Sequence, residues 1–355
     1  MSVRRVSGSV AARPSAGLAP VLAVVTILVA TACGPARDPG APRASDRSPV
    51  TTPVASPWRT VGDSRSFEPV LARNGAVVVS RVDPEVMLVG GSVPQASLVL
   101  LDPDGTTRVL ADDAAYGTAP AFSPDGTQLA FVTERAIDVL DVAGGGRTPI
   151  VRCDPPGCTG LGAPAWSPDG TQLAFVSARA GGAGLWTVPA RGGEPRLLTE
   201  RQIRGAPAWS PDGATIAVIS GRVQLIDARS GEVAAQVALP GGVRGGAVAW
   251  TPDARALVVT ARIDGVEGLW VVAIDGSAPP RLLSGCPDPG CTDVGPVMAP
   301  DGRSVLFTRA RCELAGGDCS TGDLFVVPIE GGSARPFDEG PSLDCCAAWQ
   351  PRPQS

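Results

Sequence analysis

An internal repeat constrains the fold of this chain more than any other feature of its sequence. The segment Pro120–Val132 recurs almost unchanged as Pro164–Val176 and as Pro207–Ile219. More divergent copies occupy Pro69–Val79, Val248–Val259 and Pro296–Phe307. Successive copies follow one another at intervals of roughly 40 to 50 residues, a period typical of the four-stranded blades of β-propellers.

Each copy has the pattern of two strands joined by a tight turn. Large apolar residues such as Phe122 and Trp166 end the first strand, and we expect them to pack between neighbouring blades. In the Ser-Pro-Asp-Gly turn, Pro presets φ and Gly adopts a left-handed conformation. Calcium binding by the turn carboxylates is the alternative, but one carboxylate per blade does not make a cluster of oxygen ligands. We therefore assign a structural role to the turn residues Asp125, Gly126, Asp169, Gly170, Asp212, Gly213, Asp301 and Gly302.

Counting the copies predicts an all-β fold, a single β-propeller of six four-stranded blades within residues 58–355. The last copy, Ala347–Pro351, contains only the first half of the motif. Seven blades are the alternative. They would require residues 58–67 to join the closing strand near Trp349 as an extra, incomplete blade.

The Trp-Ser-Pro-Asp-Gly turn of Trp166–Gly170 and the Gly-Gly turn at 192–193 resemble the WD40-like repeats of the TolB-type propeller family. The resemblance covers about residues 69–351 and implies the propeller fold, but says little about function. Two-domain members of that family also carry an N-terminal α/β domain. We expect none here, since no room remains for it before the first blade, and the role of those members is not carried over.

Residues 1–32 have the pattern of an export signal. Arg4 and Arg5 precede an uncharged, mostly apolar run, Leu18–Ala32, which is short for a membrane span. The run ends in Ala30-Thr31-Ala32-Cys33, which resembles the lipobox of bacterial lipoproteins except that Ala30 stands where Leu is usual. We expect a lipid on Cys33. An ordinary signal-peptidase site, giving a secreted protein, is the alternative.

Residues 33–57 are rich in Pro, Ala, Ser and Arg and almost lack large apolar residues, which indicates a flexible tether rather than a folded segment. Together these features predict a propeller held at the extracytoplasmic face of the cell membrane by its N-terminal lipid.

The composition excludes several classes of function. The chain has no His, and all 30 of its basic residues are Arg. The usual ways of activating a nucleophile or a water molecule are therefore missing, and we expect neither catalysis nor a cofactor. A net charge of −5 gives no basic surface for nucleic acid. A carbohydrate-active enzyme working through carboxylates, or a sensor that binds a small ligand in the central channel, are the alternatives.

Nine cysteines are present, and removing the lipid-bearing Cys33 leaves an even number, as expected for disulfides in an oxidising compartment. The strand order places all of the remaining cysteines on one face of the propeller, formed by the second-to-third loops of each blade and the connections between blades. We call this the upper face. The spacing predicts the disulfides Cys153–Cys158, Cys286–Cys291 and Cys312–Cys319. Cys345 and Cys346 either bridge to each other or cross to Cys312 and Cys319. Zinc thiolate sites are the alternative, although zinc favours shorter spacings or added His.

Loop length on the upper face is uneven, and the longest second-to-third loops fall in the first and sixth repeats, at 81–96 and 309–322. A closed ring of six blades would make them neighbours, and long loops on a rigid scaffold are common binding sites. We expect this face to bind an envelope protein or a cell-wall component, although a solvated rim at the ring closure would look the same. The charged residues of the loops are the candidate contacts, namely Arg81, Asp83, Glu85, Arg309, Arg311, Glu313 and Asp318.

Overall fold

The computed structural model describes residues 74–82, 95–179, 182–286, 291–311, 322–338 and 343–351. The predicted signal peptide, Cys33, the tether and residues 58–67 lie outside these ranges. Among the residues that the structure describes, the extended regular elements are β-strands, and none is a helix with the length and apolar character needed to cross a membrane.

The strands form six blades of antiparallel strands, as the repeat count predicts. The first blade contains β1 (Val77–Val82), β2 (Gln95–Leu101) and β3 (Thr107–Ala115). The second contains β4 (Ala121–Phe122), β5 (Gln128–Val132), β6 (Ala136–Asp141) and β7 (Arg147–Arg152). The third contains β8 (Cys158–Leu161), β9 (Ala165–Trp166), β10 (Gln172–Arg179), β11 (Gly182–Pro189) and β12 (Arg196–Glu200), with β8 and β9 sharing the innermost position beside β10.

The remaining blades repeat this arrangement. The fourth contains β13 (Arg204–Trp209), β14 (Thr215–Ile219), β15 (Val223–Asp227) and β16 (Val233–Val237). The fifth contains β17 (Val243–Trp250), β18 (Ala256–Ile263), β19 (Val266–Ala273) and β20 (Arg281–Gly285). The sixth contains β21 (Cys291–Met298), β22 (Ser304–Arg311), β23 (Gly322–Pro328) and β24 (Arg335–Asp338). The last strand of the chain is β25 (Leu343–Trp349).

The end of the chain closes the ring. β25 pairs antiparallel with β1, with Val77 opposite Trp349 and Arg81 opposite Asp344, and so supplies the innermost strand of the first blade. This pairing explains why the last sequence copy is only half a motif, because the other half is at the start of the propeller. It also decides between six and seven blades, since the closing strand pairs with the first blade rather than with an extra one.

The apolar core consists of clusters between neighbouring blades. Trp166 and Phe175 pack with Val132, Ile137 and other residues of the second blade, and a similar cluster fills the seam between the fourth and fifth blades. The indole Nε1 of Trp166 donates a 3.0 Å hydrogen bond to the carbonyl of Ala121, and Trp250 donates an equivalent bond to Ala208. Trp166 and Trp250 therefore join the third and fifth blades to the blades before them, as the sequence predicts.

The Pro-Asp-Gly turns lie on the face opposite the upper face, which we call the lower face, and form a chain of contacts around it. Cβ atoms built on Gly170, Gly213 and Gly302 would each meet the turn proline of the preceding blade. At the closure, the Gln350 side chain donates a 2.7 Å hydrogen bond to the carbonyl of Gly126. The side-chain oxygen of Asn74, in the divergent turn of the first blade, accepts a 2.8 Å bond from the Asp301 amide of the sixth.

Candidate binding face and central channel

The upper face is the candidate binding face, and the structure describes part of it. It is formed by the second-to-third hairpin turns, such as those at 133–135 and 264–265, and by connections between blades such as 201–203. The two longest hairpin connections, residues 83–94 and 312–321, lie outside the described residues, and with them Asp83, Glu85, Glu313, Asp318 and the predicted Cys312–Cys319 disulfide. The backbone of Arg311 ends β22, but its side chain is not described.

Arg81 lies inside the fold and not on the loop surface. Its guanidinium makes a two-pronged pair with the Asp344 carboxylate, Nε to Oδ1 at 2.8 Å and Nη2 to Oδ2 at 2.7 Å. Both side chains are about 95% buried. The pair joins β1 to the closing strand β25, so its evident role is to fasten the ring closure at its upper end.

Arg309 makes a matching pair in the sixth blade. Its Nε and Nη2 donate bonds of 2.7 and 2.9 Å to the carboxylate of Asp293, which is fully buried on β21. Nη2 also reaches the hydroxyl of Ser284 at 3.1 Å, and Ser284 itself donates to Asp293 at 2.8 Å. The guanidinium carbon stands 4.6 Å from the ring centre of Phe325. Because Ser284 belongs to β20, this network links the fifth blade to the sixth.

In both pairs, an Arg on the second strand is the direct cross-strand partner of an Asp on the innermost strand. The loop pattern of the sequence predicts both arginines as contacts for a partner and does not point to Asp293 or Asp344. An Asp near the start of an otherwise small and apolar innermost strand was the available signal. A binding role for these two arginines stays a prediction, and it would require breaking a buried ion pair.

Two of the predicted disulfides are present on the upper face. Cys153–Cys158 and Cys286–Cys291 each close a short Pro-Gly loop between blades, with Cα atoms 5.0 and 5.8 Å apart. The second loop is also held at its ends by Arg309, through Ser284, Asp293 and the carbonyl of Gly285. Cys346 lies on β25 with φ +56° and borders the central channel.

The turn aspartates make local hydrogen bonds. Asp125 accepts bonds from the Ser123 hydroxyl at 2.6 Å and from the Thr127 amide at 3.0 Å. These bonds, the Ser123 bond first, lower the pKa of Asp125, and the same arrangement lowers that of Asp169, Asp212 and Asp253. The carboxylates thus close the turns. Within the described ranges, no three acidic or Cys side chains come together as metal ligands would.

A channel of about 1170 Å³ runs along the axis, lined by the innermost strands of all six blades. Its walls are mainly Gly, Ala, Pro and Val with the rings of Trp166, Trp209, Trp250 and Trp349. Two charged residues border it in the described part of the chain, Arg244 and Asp301. Asp301 is engaged at the lower face by Asn74 and by the amide of Arg303.

Comparisons with known proteins agree with this architecture. Residues 86–237 match the family model described as the TolB beta propeller domain. TolB from Acinetobacter baumannii superposes with a TM-score of 0.58 at 19% identity, over 78% of this chain and 67% of that one. A putative TolB from Agrobacterium tumefaciens gives 0.53 at 20% identity, over 78% and 99%. A chain of a nidogen/laminin complex gives 0.53 at 10% identity, over 78% and 98%. No curated protein matches the sequence significantly.

Proposed function

We propose that this chain, whose propeller matches the TolB beta propeller family model over residues 86–237, is a binding scaffold anchored by lipid at the outer side of the cell membrane. Its partner would be held on the upper face between the first and sixth blades. The observation that carries the proposal is the bracing of this part of the face. The two longest hairpin connections belong to adjacent blades, and each starts next to a buried Arg–Asp pair. Such bracing fixes the strand ends from which the candidate recognition residues extend.

The lipid anchor is supported by the residues before Cys33, and export is supported by the disulfides. Cys153–Cys158 and Cys286–Cys291 are both formed, which suits an oxidising compartment outside the cytoplasm. A Cys33→Ser variant should be exported but recovered in the medium or the soluble extract rather than with membranes. If this variant stays in the membrane fraction, the anchor is not the Cys33 lipid.

The binding face can be tested without disturbing the scaffold. Replacing 83–94 and 312–321 with short Gly-Ser linkers leaves both Arg–Asp pairs in place, and the matched control replaces the lower-face turn 191–193. Cross-linking in intact cells should yield a discrete adduct with the wild-type chain and the control, and none with the loop variant. An adduct of the same mass and yield with the loop variant would place the partner elsewhere.

The partner expected here is an envelope protein or a cell-wall component, because an anchored propeller reaches only what lies near the membrane. Purified peptidoglycan and an envelope protein extract can be offered separately to the immobilised propeller. Retention of one that disappears in the loop variant identifies the class of partner. Retention of neither, by a folded propeller, would contradict the proposal.

A further inference from the structure

Acidic and basic residues both lie at the upper ends of the innermost strands, but the acidic ones are buried in ion pairs and the basic ones are exposed. In the first and sixth blades the charged residues are Asp344 and Asp293, each buried and neutralised by an arginine. In the fourth and fifth blades they are Arg204 and Arg244, both exposed. Within the described part of the chain neither arginine has an acidic partner within ion-pair distance. Among the described residues at the upper ends of the innermost strands, the charges without an ion-pair partner are therefore both positive, although the whole chain has a net charge of −5.

Glycines allow the two strands that carry Arg204 and Arg244 to pack closely. A Cβ atom on Gly205, next to Arg204, would overlap the carbonyl of Gly246, which lies two residues from Arg244. Gly205 also has φ +75°, a conformation that favours glycine. Strands β13 and β17 can approach this closely only because Gly205 has no side chain. The backbones that carry Arg204 and Arg244 are therefore neighbours at the mouth of the channel. Two like charges so placed favour a bound anion.

Below Arg244 the channel wall is apolar. Trp209 and Trp250 line it together with prolines, alanines and glycines, and Arg244 is the one charged lining residue in the described structure without a carboxylate or amide partner. A site with an apolar wall and one convergent charged group suits a small ligand that has an apolar body and a single anionic end.

We propose that the channel binds a small organic anion whose carboxylate pairs with Arg244, assisted by Arg204, and whose apolar body lies against the apolar channel wall below Arg244. None of the residues that form this site belongs to the two hairpin connections assigned to the protein partner, so the two proposals are tested independently. It would give the propeller a small-molecule ligand whose occupancy is set by the charge of its acid group.

A pair of fluorescent probes tests the proposal directly. Pyrenebutyrate and pyrenebutanol share the apolar body and differ in the acid group, and binding of either should quench the tryptophan fluorescence of the propeller. Because a charge-assisted hydrogen bond is stronger than a neutral one, the wild-type propeller should bind pyrenebutyrate about tenfold more tightly than the alcohol. Raising the salt concentration should reduce this preference.

Single substitutions distinguish the contribution of the Arg244 charge to binding from that of the apolar channel wall. Arg244→Gln should lower pyrenebutyrate affinity to that of pyrenebutanol and leave the alcohol unchanged, which also shows that the variant is folded. Arg204→Gln should lose part of the preference. Arg222→Gln is the control, an exposed arginine on an outer hairpin of the same face. Equal binding of acid and alcohol by the wild type, or the same loss in Arg244→Gln and Arg222→Gln, would overturn the proposal.

Discussion

The lower-face turns allow a test of the ring order by a series of single substitutions. The turn glycines Gly126, Gly170 and Gly213 have φ of +73°, +71° and +71°, and Gly302 has +66°. Replacing any of them with Ala forces a side chain into the left-handed region, which costs about 1–2 kcal/mol. Ala also lowers the conformational entropy of the unfolded chain, which offsets about 0.4–1 kcal/mol of this loss. A net loss of about 1 kcal/mol is thus common to the whole series.

The neighbouring blade sets the differences between the four sites. A Cβ on Gly170 would lie 3.7 Å from Pro124, an ordinary contact, so Gly170→Ala should cost only the common loss of about 1 kcal/mol. A Cβ on Gly213 would lie 3.2 Å from the ring of Pro168, and a Cβ on Gly302 would lie 2.5 Å from the ring of Pro252. Both proline rings are rigid. At Gly126 the Cβ would overlap the backbone carbonyl of Pro351. Overpacking adds about 1–3 kcal/mol, so Gly302→Ala and Gly126→Ala should each cost about 2–4 kcal/mol.

The fifth blade provides the reverse substitution. Ala254 occupies the glycine position of its turn with φ +57°, so Ala254→Gly should stabilise the propeller by about 1 kcal/mol, the reverse of the common loss. The free energy of unfolding, measured by urea titration of tryptophan fluorescence, should rank the losses as 170, then 213, then 302 and 126. The Gly126 result is decisive, because its clash exists only if the end of the chain closes the ring beside the second blade. Equal losses for Gly126→Ala and Gly170→Ala would refute the closure.

Three further outcomes are expected. Arg309→Met should lower the free energy of unfolding by about 3 kcal/mol because it leaves Asp293 buried without its cation, and adding Asp293→Leu should restore most of it; no recovery in the double variant would contradict the pairing. Limited reduction followed by thiol tagging should open Cys286–Cys291, which is half-buried, before Cys153–Cys158, whose residues are buried, and simultaneous tagging would refute this. The turn aspartates of the second to fifth blades have lowered pKa values, so the stability that they contribute is complete above the ordinary aspartate pKa of about 3.9 and is lost as the pH falls through the lowered values. The urea concentration at the unfolding midpoint should therefore decrease as the pH is lowered from about 5 to about 2. A midpoint that does not change with pH would contradict the assignment.

The sequence was sufficient for the parts of the fold that repeat. Blade number, the packing of Trp166 and Trp250 and the role of Asp125 follow from local patterns, since turn chemistry and strand periodicity are written within each copy. The disulfides Cys153–Cys158 and Cys286–Cys291 were predictable for the same reason, because a short loop around Pro-Gly brings its two ends together.

The candidate site was predicted less well because it depends on contacts between distant segments. Arg81 and Asp344 are separated by most of the chain and meet only through ring closure, so Arg81 looked like a loop charge. Arg309 and Asp293 are close in sequence, but the register that makes them partners depends on an irregularity in β21. Whether a charged side chain is exposed or paired cannot be predicted from composition, as the buried and paired Arg81 and Arg309 illustrate. The absence of catalysis, inferred from the lack of His and Lys, remains a prediction.

The positions of the two buried ion pairs connect closure with binding. Arg81–Asp344 joins the last strand to the first, and Arg309–Asp293 joins the sixth blade to the fifth, so the pairs lie on either side of the seam where the chain begins and ends. A ring closed only by backbone pairing of β25 could loosen there first, since one strand comes from the end of the chain. The pairs place buried, directional bonds at the upper end of this seam, next to both long connections. A partner that contacts both connections would bridge the seam, and its binding would therefore stabilise the closure of the propeller.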